Sequence, residues 1–245
     1  MNSDIPRLGW RWPQRWLEAG LTLLFPPRCA GCGLAGEFWC AECNRSVSKL
    51  TGRLCPQCGF PLRSHSICLT CKNYPTPMIA RSFAWYEGPL ARALVHMKYR
   101  PNRKLSTLMA GWLVELYLRQ SWDVTLVTPV PLSEARLRQR GFNQAALVSK
   151  TFASTLGLQH SGRALHRVRE TKSQVGLDGV ARFQNVRGAF RGIPELVHEQ
   201  KVLVVDDLYT TGATMSACAE ALLEAGASKV YGLTIGRAQG KIAEA

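Results

Sequence analysis

The sequence predicts an α/β fold: a central parallel sheet flanked by helices, with a small cysteine-rich unit in front of it. Three observations lead there. Apolar runs rich in β-branched residues, at 124–131, 202–205 and in the VYGLTIGRA segment, alternate with longer stretches of helical periodicity. That is the pattern of strands joined by crossover helices. The run at 202–205 opens the stretch VLVVDDLYTTGATM, in which a buried strand meets two carboxylates, a hydroxyl-rich turn and a helix start. Eight of the nine cysteines form four C-x-x-C pairs, all before residue 72.

Composition narrows the class. With 245 residues, 46% hydrophobic and 20% charged, the chain has material for one medium α/β domain and a smaller unit. Its formal net charge of +14 favours a polyanionic partner: nucleic acid, a phosphorylated ligand or an acidic membrane surface. The excess is uneven. Residues 136–191 hold eleven Lys or Arg against two acids, Glu170 and Asp178; a solvated basic face has the same composition. No apolar run approaches the ~20 residues of a membrane-spanning helix. The apolar core at 21–25 is too short for a signal peptide. Thiols at metal spacing, with Cys218 alone inside a helical stretch, argue for a reducing, cytoplasmic setting.

Residues 1–25 are expected to form an amphipathic arm with a short helix starting near Pro13. Trp12, Trp16, Leu17, Leu21 and Leu24 fall near one face, with Arg7, Arg11 and Arg15 interleaved. Such an arm docks on the protein itself, or contacts a membrane interface or nucleic acid. Residues 26–73 are expected to be a double zinc ribbon. Each C-x-x-C is a tight turn aiming two thiolates at one point, and two such turns complete a tetrahedral Zn²⁺ site. The local pairing puts Cys29, Cys32, Cys40 and Cys43 on one ion and Cys55, Cys58, Cys68 and Cys71 on the other. An interleaved arrangement, first pair with third, satisfies the spacing as well. Four thiolates leave no open position, so both ions are expected to be structural. His65 reads as a surface histidine.

A proline-containing linker at 73–80 leads to a strand at 82–88. Two helical stretches follow, PLARALVHMKYR and KLSTLMAGWLVELYLRQ, broken at Pro101-Asn102. Lys98, Tyr99 and Arg100 close the first, where cations suit a helix C-terminus. The strand at 124–131 runs into a basic loop that turns into a helix. Residues 163–190 read as a long mobile loop followed by a strand near 186–190. After the strand at 202–205 comes a helix with Met215, Ala219, Leu222 and Leu223 at helical spacing and Gly226 as its stop.

The stretch after 205 is a physical device. Ligands of an open α/β sheet bind beyond the carboxyl ends of its strands. A glycine-containing loop turning into a helix aims backbone N–H groups and the positive helix end at one spot, which suits a phosphate. The adjacent Asp206 and Asp207, acceptor-only when ionised, suit the vicinal hydroxyls of a ribose, with or without Mg²⁺.

These residues resemble the phosphoribosyl pyrophosphate (PRPP) motif of type I phosphoribosyltransferases. The resemblance implies that Asp206 and Asp207 hold the ribose hydroxyls and orient the sugar, one of them serving as a base. It implies that Thr210, Thr211, Gly212, Ala213 and Thr214 cradle the 5′-phosphate. Pro129, Val130 and Pro131 mark the pyrophosphate loop, with Arg136, Arg138 and Arg140 as nearby phosphate contacts and Mg²⁺ accompanying PRPP. A mobile loop in the 163–190 region is expected to close over the site. Residues 80–240 are then a phosphoribosyltransferase-like domain.

Taken with LLFPPRCAGCG, LCPQCG, HMKYR and PVPL-x(7)-RGFNQ, the chain resembles the ComF/GntX family of competence-related proteins from about residue 17 to 236. That implies a phosphoribosyltransferase-fold protein binding Mg-PRPP and serving DNA uptake or utilisation, with single-stranded DNA and other DNA-uptake proteins as partners. Phe142, Phe152 and Phe183 are the aromatics available for base stacking in the basic stretch. The alternatives are an active phosphoribosyltransferase with an unidentified acceptor and a non-catalytic PRPP-responsive regulator.

Overall fold

The computed structural model describes residues 26–63, 66–171 and 179–239. The expected arm at 1–25 and His65 lie outside the described residues.

Five strands form one parallel sheet: β1 (Ile79–Trp85), β2 (Leu126–Pro129), β3 (Gln159–His160), β6 (Lys201–Tyr209) and β7 (Lys229–Arg237), in the order β1-β7-β6-β2-β3. A second, antiparallel pair joins β4 (Leu165–Arg167) to β5 (Phe190–Gly192). The central strands read as continuous apolar runs because both faces are covered. On one face Leu203, Val205 and Leu233 pack against α3 (Gly88–Tyr99), α4 (Arg103–Leu118) and α6 (Gln144–Leu156), through Leu94, Met109 and Phe152. On the other face Val202, Val204 and Val230 meet α9 (Ala213–Glu224) through Met215, Cys218 and Leu222. The β4–β5 pair and α7 (Gly179–Val186) complete that layer. The expected α/β architecture is therefore present: a central parallel sheet flanked by helices, with cysteine knuckles in front.

Local chemistry explains the boundaries. Pro89 opens α3 within its first turn, and Asn102, just past Pro101, caps α4 by accepting from the Leu105 N–H at 3.0 Å. Ser133 caps the short α5 (Glu134–Arg140), which ends on left-handed Gly141, and Asn143 caps α6. The basic loop after β2 is thus two helices with a glycine break. The 163–190 region is likewise not one long loop but β4, α7 and β5, with residues 172–178 outside the described set. Its expected strand at 186–190 is the end of α7 and the entry to β5. The last of the short helices, α8 (Pro194–Val197), leads into β6.

The cysteine unit contributes α1 (Ala41–Arg45) and α2 (Leu69–Asn73) and docks along the free edge of β1. Leu50 N–H donates to Phe83 O at 3.1 Å and Trp85 N–H to Ser48 O at 2.9 Å, so the unit covers an otherwise unpaired edge strand. Trp39 packs edge-on to Trp112 at 5.6 Å, and Trp112 stacks on Phe83 at 5.1 Å.

Candidate functional site

β6 carries the acid pair inside the strand, not at its end. Pairing with β7 continues to Tyr209 opposite Arg237, whereas pairing with β2 stops at Pro129 opposite Val205. The last link to the β2 side is Val130 N–H donating to Val205 O at 2.9 Å. Asp206 and Asp207 therefore lie just past the point where β2 turns away, in a crevice with one wall missing. Because strand side chains alternate, the two acids face opposite sides of the sheet. Asp207 takes a hydrogen bond from Gln144 Nε2 at 3.0 Å and lies 3.7 Å from Lys98 Nζ. Asp206 Oδ1 accepts from the Asp207 backbone N–H at 2.8 Å. Burial, and next the like charge of Asp207, push the Asp206 carboxyl well above the ordinary carboxylate range, against the pull of the Asp207 N–H and Lys98. The carboxylate oxygens of the pair line the cavity and are acceptors that suit a cation or a vicinal diol.

The turn after β6 places Gly212, which has no side chain to cap with, as the N-cap of α9 with φ +87°. Its twelve residues and its N-terminus at the cavity suit an anion. A Cβ at 212 would overlap the Tyr209 hydroxyl, so the turn demands glycine twice over. Thr210, Gly212 and Thr214 line the cavity. The Ala213 N–H donates to Thr211 Oγ1 at 3.4 Å, and Ala213 itself is buried.

The cavity measures about 720 Å³, within the range of small-molecule sites. Val130 and Pro131 form part of its wall, while Pro129 is buried as the last residue of β2. Asn143 anchors the loop by donating from Nδ2 to Val130 O at 2.9 Å. Of the three arginines expected near the phosphates, Arg136 and Arg140 line the cavity. Arg138 points elsewhere and pairs with Glu134 at 3.2 Å on the exposed side of α5.

Further cations reach the cavity from distant parts of the chain: Lys98 from α3, beside the Tyr99 phenol, Arg167 from β4 and Arg182 from α7. Arg167 bonds Thr171 Oγ1 and lies 5.5 Å above the Phe190 ring. Burial, and then the like charge of Arg136, lower its pKa, so these two guanidiniums share one neighbourhood. The Nε atoms of Arg167 and Arg182 are buried with no hydrogen-bond partner among the described residues. The sequence offered one signal for Lys98 and Gln144: both stand in stretches, HMKYR and RGFNQ, that carry the family resemblance. Arg167 and Arg182 had no signal beyond the basic run.

The aromatics expected to stack bases are less accessible. Phe152 is fully buried in α6, edge-on to Tyr117 at 5.5 Å. Phe183 is half-buried and already stacks on Tyr74 at 4.6 Å. Phe142 is half-buried.

The cysteines pair locally. The Sγ atoms of Cys29, Cys32, Cys40 and Cys43 lie within 4.8 Å of one another, as do those of Cys55, Cys58, Cys68 and Cys71, which settles against interleaving. Zn–S bonds of about 2.3 Å put tetrahedral sulfurs about 3.8 Å apart. The distances fit: 3.6 Å for Cys29–Cys43, 3.7 Å for Cys32–Cys40 and 3.5 Å for Cys58–Cys68. Backbone N–H groups of Cys40, Cys43 and Cys71 point at neighbouring sulfurs, a donor set that suits thiolates. Cys218 is buried alone in α9, and desolvation first, with Asp206 second, pushes its thiol well up, leaving it unreactive.

Comparison with known proteins agrees with this layout. Residues 20–72 match the family model described as a double zinc ribbon domain. The chain is 33% identical over 219 residues to the DNA utilization protein YhgH of Salmonella typhimurium, spanning 85% of this chain and 96% of that protein. It is 28% identical to the competence protein ComFC of Bacillus subtilis, spanning 81% and 84%, and 26% identical to competence protein F of Haemophilus influenzae, spanning 86% and 97%. Among solved structures, the glutamine PRPP amidotransferase of B. subtilis matches 58% of this chain and 30% of its own at 19% identity, with a TM-score of 0.39. Cysteine ribbons, acid pair and relatives point one way: the chain belongs to the ComF family of competence and DNA-utilisation proteins.

Proposed function

We propose that the cavity binds Mg-PRPP and that the protein serves the uptake or utilisation of external DNA. One observation carries the ligand: a carboxylate pair and the glycine-capped N-terminus of α9 line the same cavity. In this reading Asp206 and Asp207 hold the ribose hydroxyls, and the turn from Thr210 to Thr214 holds the 5′-phosphate. Val130 and Pro131, with Arg136 and Arg140, receive the pyrophosphate. The oxygen-only donors of the acid pair fit Mg²⁺, which supplies charge neutralisation of the phosphates. Two structural zinc ions fit the cysteine clusters, and free thiols at metal spacing support a cytoplasmic location. The DNA role draws on the names of the relatives.

Calorimetric titration of the zinc-loaded protein with Mg-PRPP tests the ligand. Saturable binding that disappears in the Asp206→Asn, Asp207→Asn double variant is expected; binding that survives it refutes the assignment. The same double variant should fail to restore DNA uptake in cells lacking the protein.

Turnover is a second reading, favoured by Arg136 and Arg167 in one neighbourhood of the cavity, where they support a departing pyrophosphate. Pyrophosphate release with Mg-PRPP and a panel of nucleobases measures it. Single-stranded DNA is the polymeric partner this reading favours, on the exposed Arg163, Arg169, Arg187 and Arg191. Its affinity should fall steeply with salt.

A further inference from the structure

The two cysteine clusters sit differently. In the first, Cys32 is exposed and Cys40 half-buried. In the second, all four cysteines are buried, Cys55 and Cys58 at 0% and 1% exposure, within the core that includes Met78, Tyr209 and Met215. Four thiolates around one divalent zinc carry a net double negative charge, and burying it calls for compensating cations.

Two guanidiniums meet that need, both from the sheet. Arg81 of β1 donates from Nη1 to Pro56 O at 3.1 Å and to Ala80 O at 2.8 Å. Its desolvation is partly offset by attraction to the Cys58 and Cys55 thiolates. Arg237, the last residue of β7, is 3% exposed. It donates from Nη1 to Cys58 O at 2.5 Å and from Nη2 to Cys58 Sγ at 3.2 Å. Its guanidinium also lies 4.4 Å from the Tyr209 ring and 5.1 Å from the Phe60 ring. Tyr209 is its register partner on β6, and the Tyr209 hydroxyl fills the space a Cβ at Gly212 would need. A continuous physical chain therefore runs from the second cluster to the phosphate turn.

We propose that Arg237 is a positioning residue: it neutralises the second cysteine cluster on one side and, through Tyr209, fixes the Gly212 turn on the other. Zinc in that cluster and a phosphate at the turn then support each other; this coupling rests on the ribose-phosphate reading of the cavity. By linkage, whatever factor the zinc contributes to PRPP affinity, PRPP returns to zinc retention.

The test uses the full-length protein and two readouts, chelator-driven zinc release and calorimetric Mg-PRPP affinity. In the wild type, saturating Mg-PRPP should slow the release of one of the two zincs and leave the other unchanged. Arg237→Met should release that zinc faster and bind Mg-PRPP about tenfold more weakly, within the usual range of coupling between sites. Arg237→Lys keeps the charge without the planar fork, so it should recover zinc retention more fully than PRPP affinity. Tyr209→Phe should keep both zincs and still lose affinity. Wild-type affinity in Arg237→Met, or in Arg237→Lys should the former not fold, overturns the proposal. So does PRPP protection of both zincs or of neither. A wild type that holds two zincs and binds no PRPP refutes the ribose-phosphate reading and the coupling with it; a wild type that binds while the Arg237 variants match it refutes the coupling alone.

Discussion

The ligand role proposed for Asp206 sets function against stability, and that opposition is measurable. Its carboxyl sits beside Asp207 on the cavity wall, with its pKa raised well above the ordinary value, chiefly by desolvation and then by Asp207. A carboxylate raised in the folded state contributes its full stability below the unfolded pKa. That stability is lost as pH rises toward the folded value. Each unit of upward shift removes about 1.4 kcal/mol once pH exceeds both values. Asp206→Asn has the same shape, keeps an oxygen for the Asp207 N–H at 2.8 Å, and carries no charge to desolvate. A gain of only about 1 kcal/mol raises the melting temperature of a chain this size by about 2–4 °C. The assay is thermal denaturation of wild type and variant from pH 4 to pH 8, with and without Mg-PRPP. Without ligand the variant should melt higher at pH 8, and the gap should shrink toward pH 4. With ligand at about a hundred times Kd the wild type should gain about 2.7 kcal/mol and overtake the variant, which should gain nothing. An unliganded variant that melts lower than wild type at pH 8 refutes the electrostatic account. A variant that gains as much from Mg-PRPP as the wild type refutes the ribose assignment.

Gly212→Ala meets both a left-handed φ of +87° and the Tyr209 hydroxyl. It should destabilise by about 1–3 kcal/mol, read as a lower melting temperature, and weaken Mg-PRPP in titration calorimetry. Arg136→Ala should lower Mg-PRPP affinity about tenfold, the loss expected of a charge-assisted phosphate contact. Arg138→Ala, whose partner is Glu134 at 3.2 Å on the surface, should leave affinity unchanged; a reversed order would place the pyrophosphate on the other face of α5. Stripping zinc with a chelator should lower the melting temperature of the whole chain, since the second cluster shares a core with Met78 and Met215; an unchanged melt would make the ribbons independent of the sheet.

What the sequence disclosed and what it withheld follow from range along the chain. The turn from Thr210 to Thr214 was legible as a turn because strand, acid pair, hydroxyls, glycine and helix are consecutive, and each has a local reason to stand there. The zinc ligands were legible by type, but spacing alone permits two pairings, and only folding brings Cys58 to 3.5 Å from Cys68. The apolar run stops at Val205, where Asp206 and Asp207 interrupt it. The strand in fact continues to Tyr209, since β7 goes on supplying backbone partners as far as Arg237. Phe152 stands in a basic segment, where composition alone offers it for stacking. Yet Ala145, Val148 and Phe152 recur at helical spacing on the buried side of α6, and that periodicity outranks composition. Lys98, Arg167 and Arg182 could not be assigned to the cavity from sequence, because three separate elements deliver them across the crevice. Arg237 was the least legible. It closes an apolar strand as an ordinary terminal cation would, and only the fold shows its 3% exposure and its hydrogen bond to the Cys58 sulfur. A buried cation against a cysteine sulfur has no pattern in one dimension, so the contact of Arg237 with the second cluster had to come from the folded molecule.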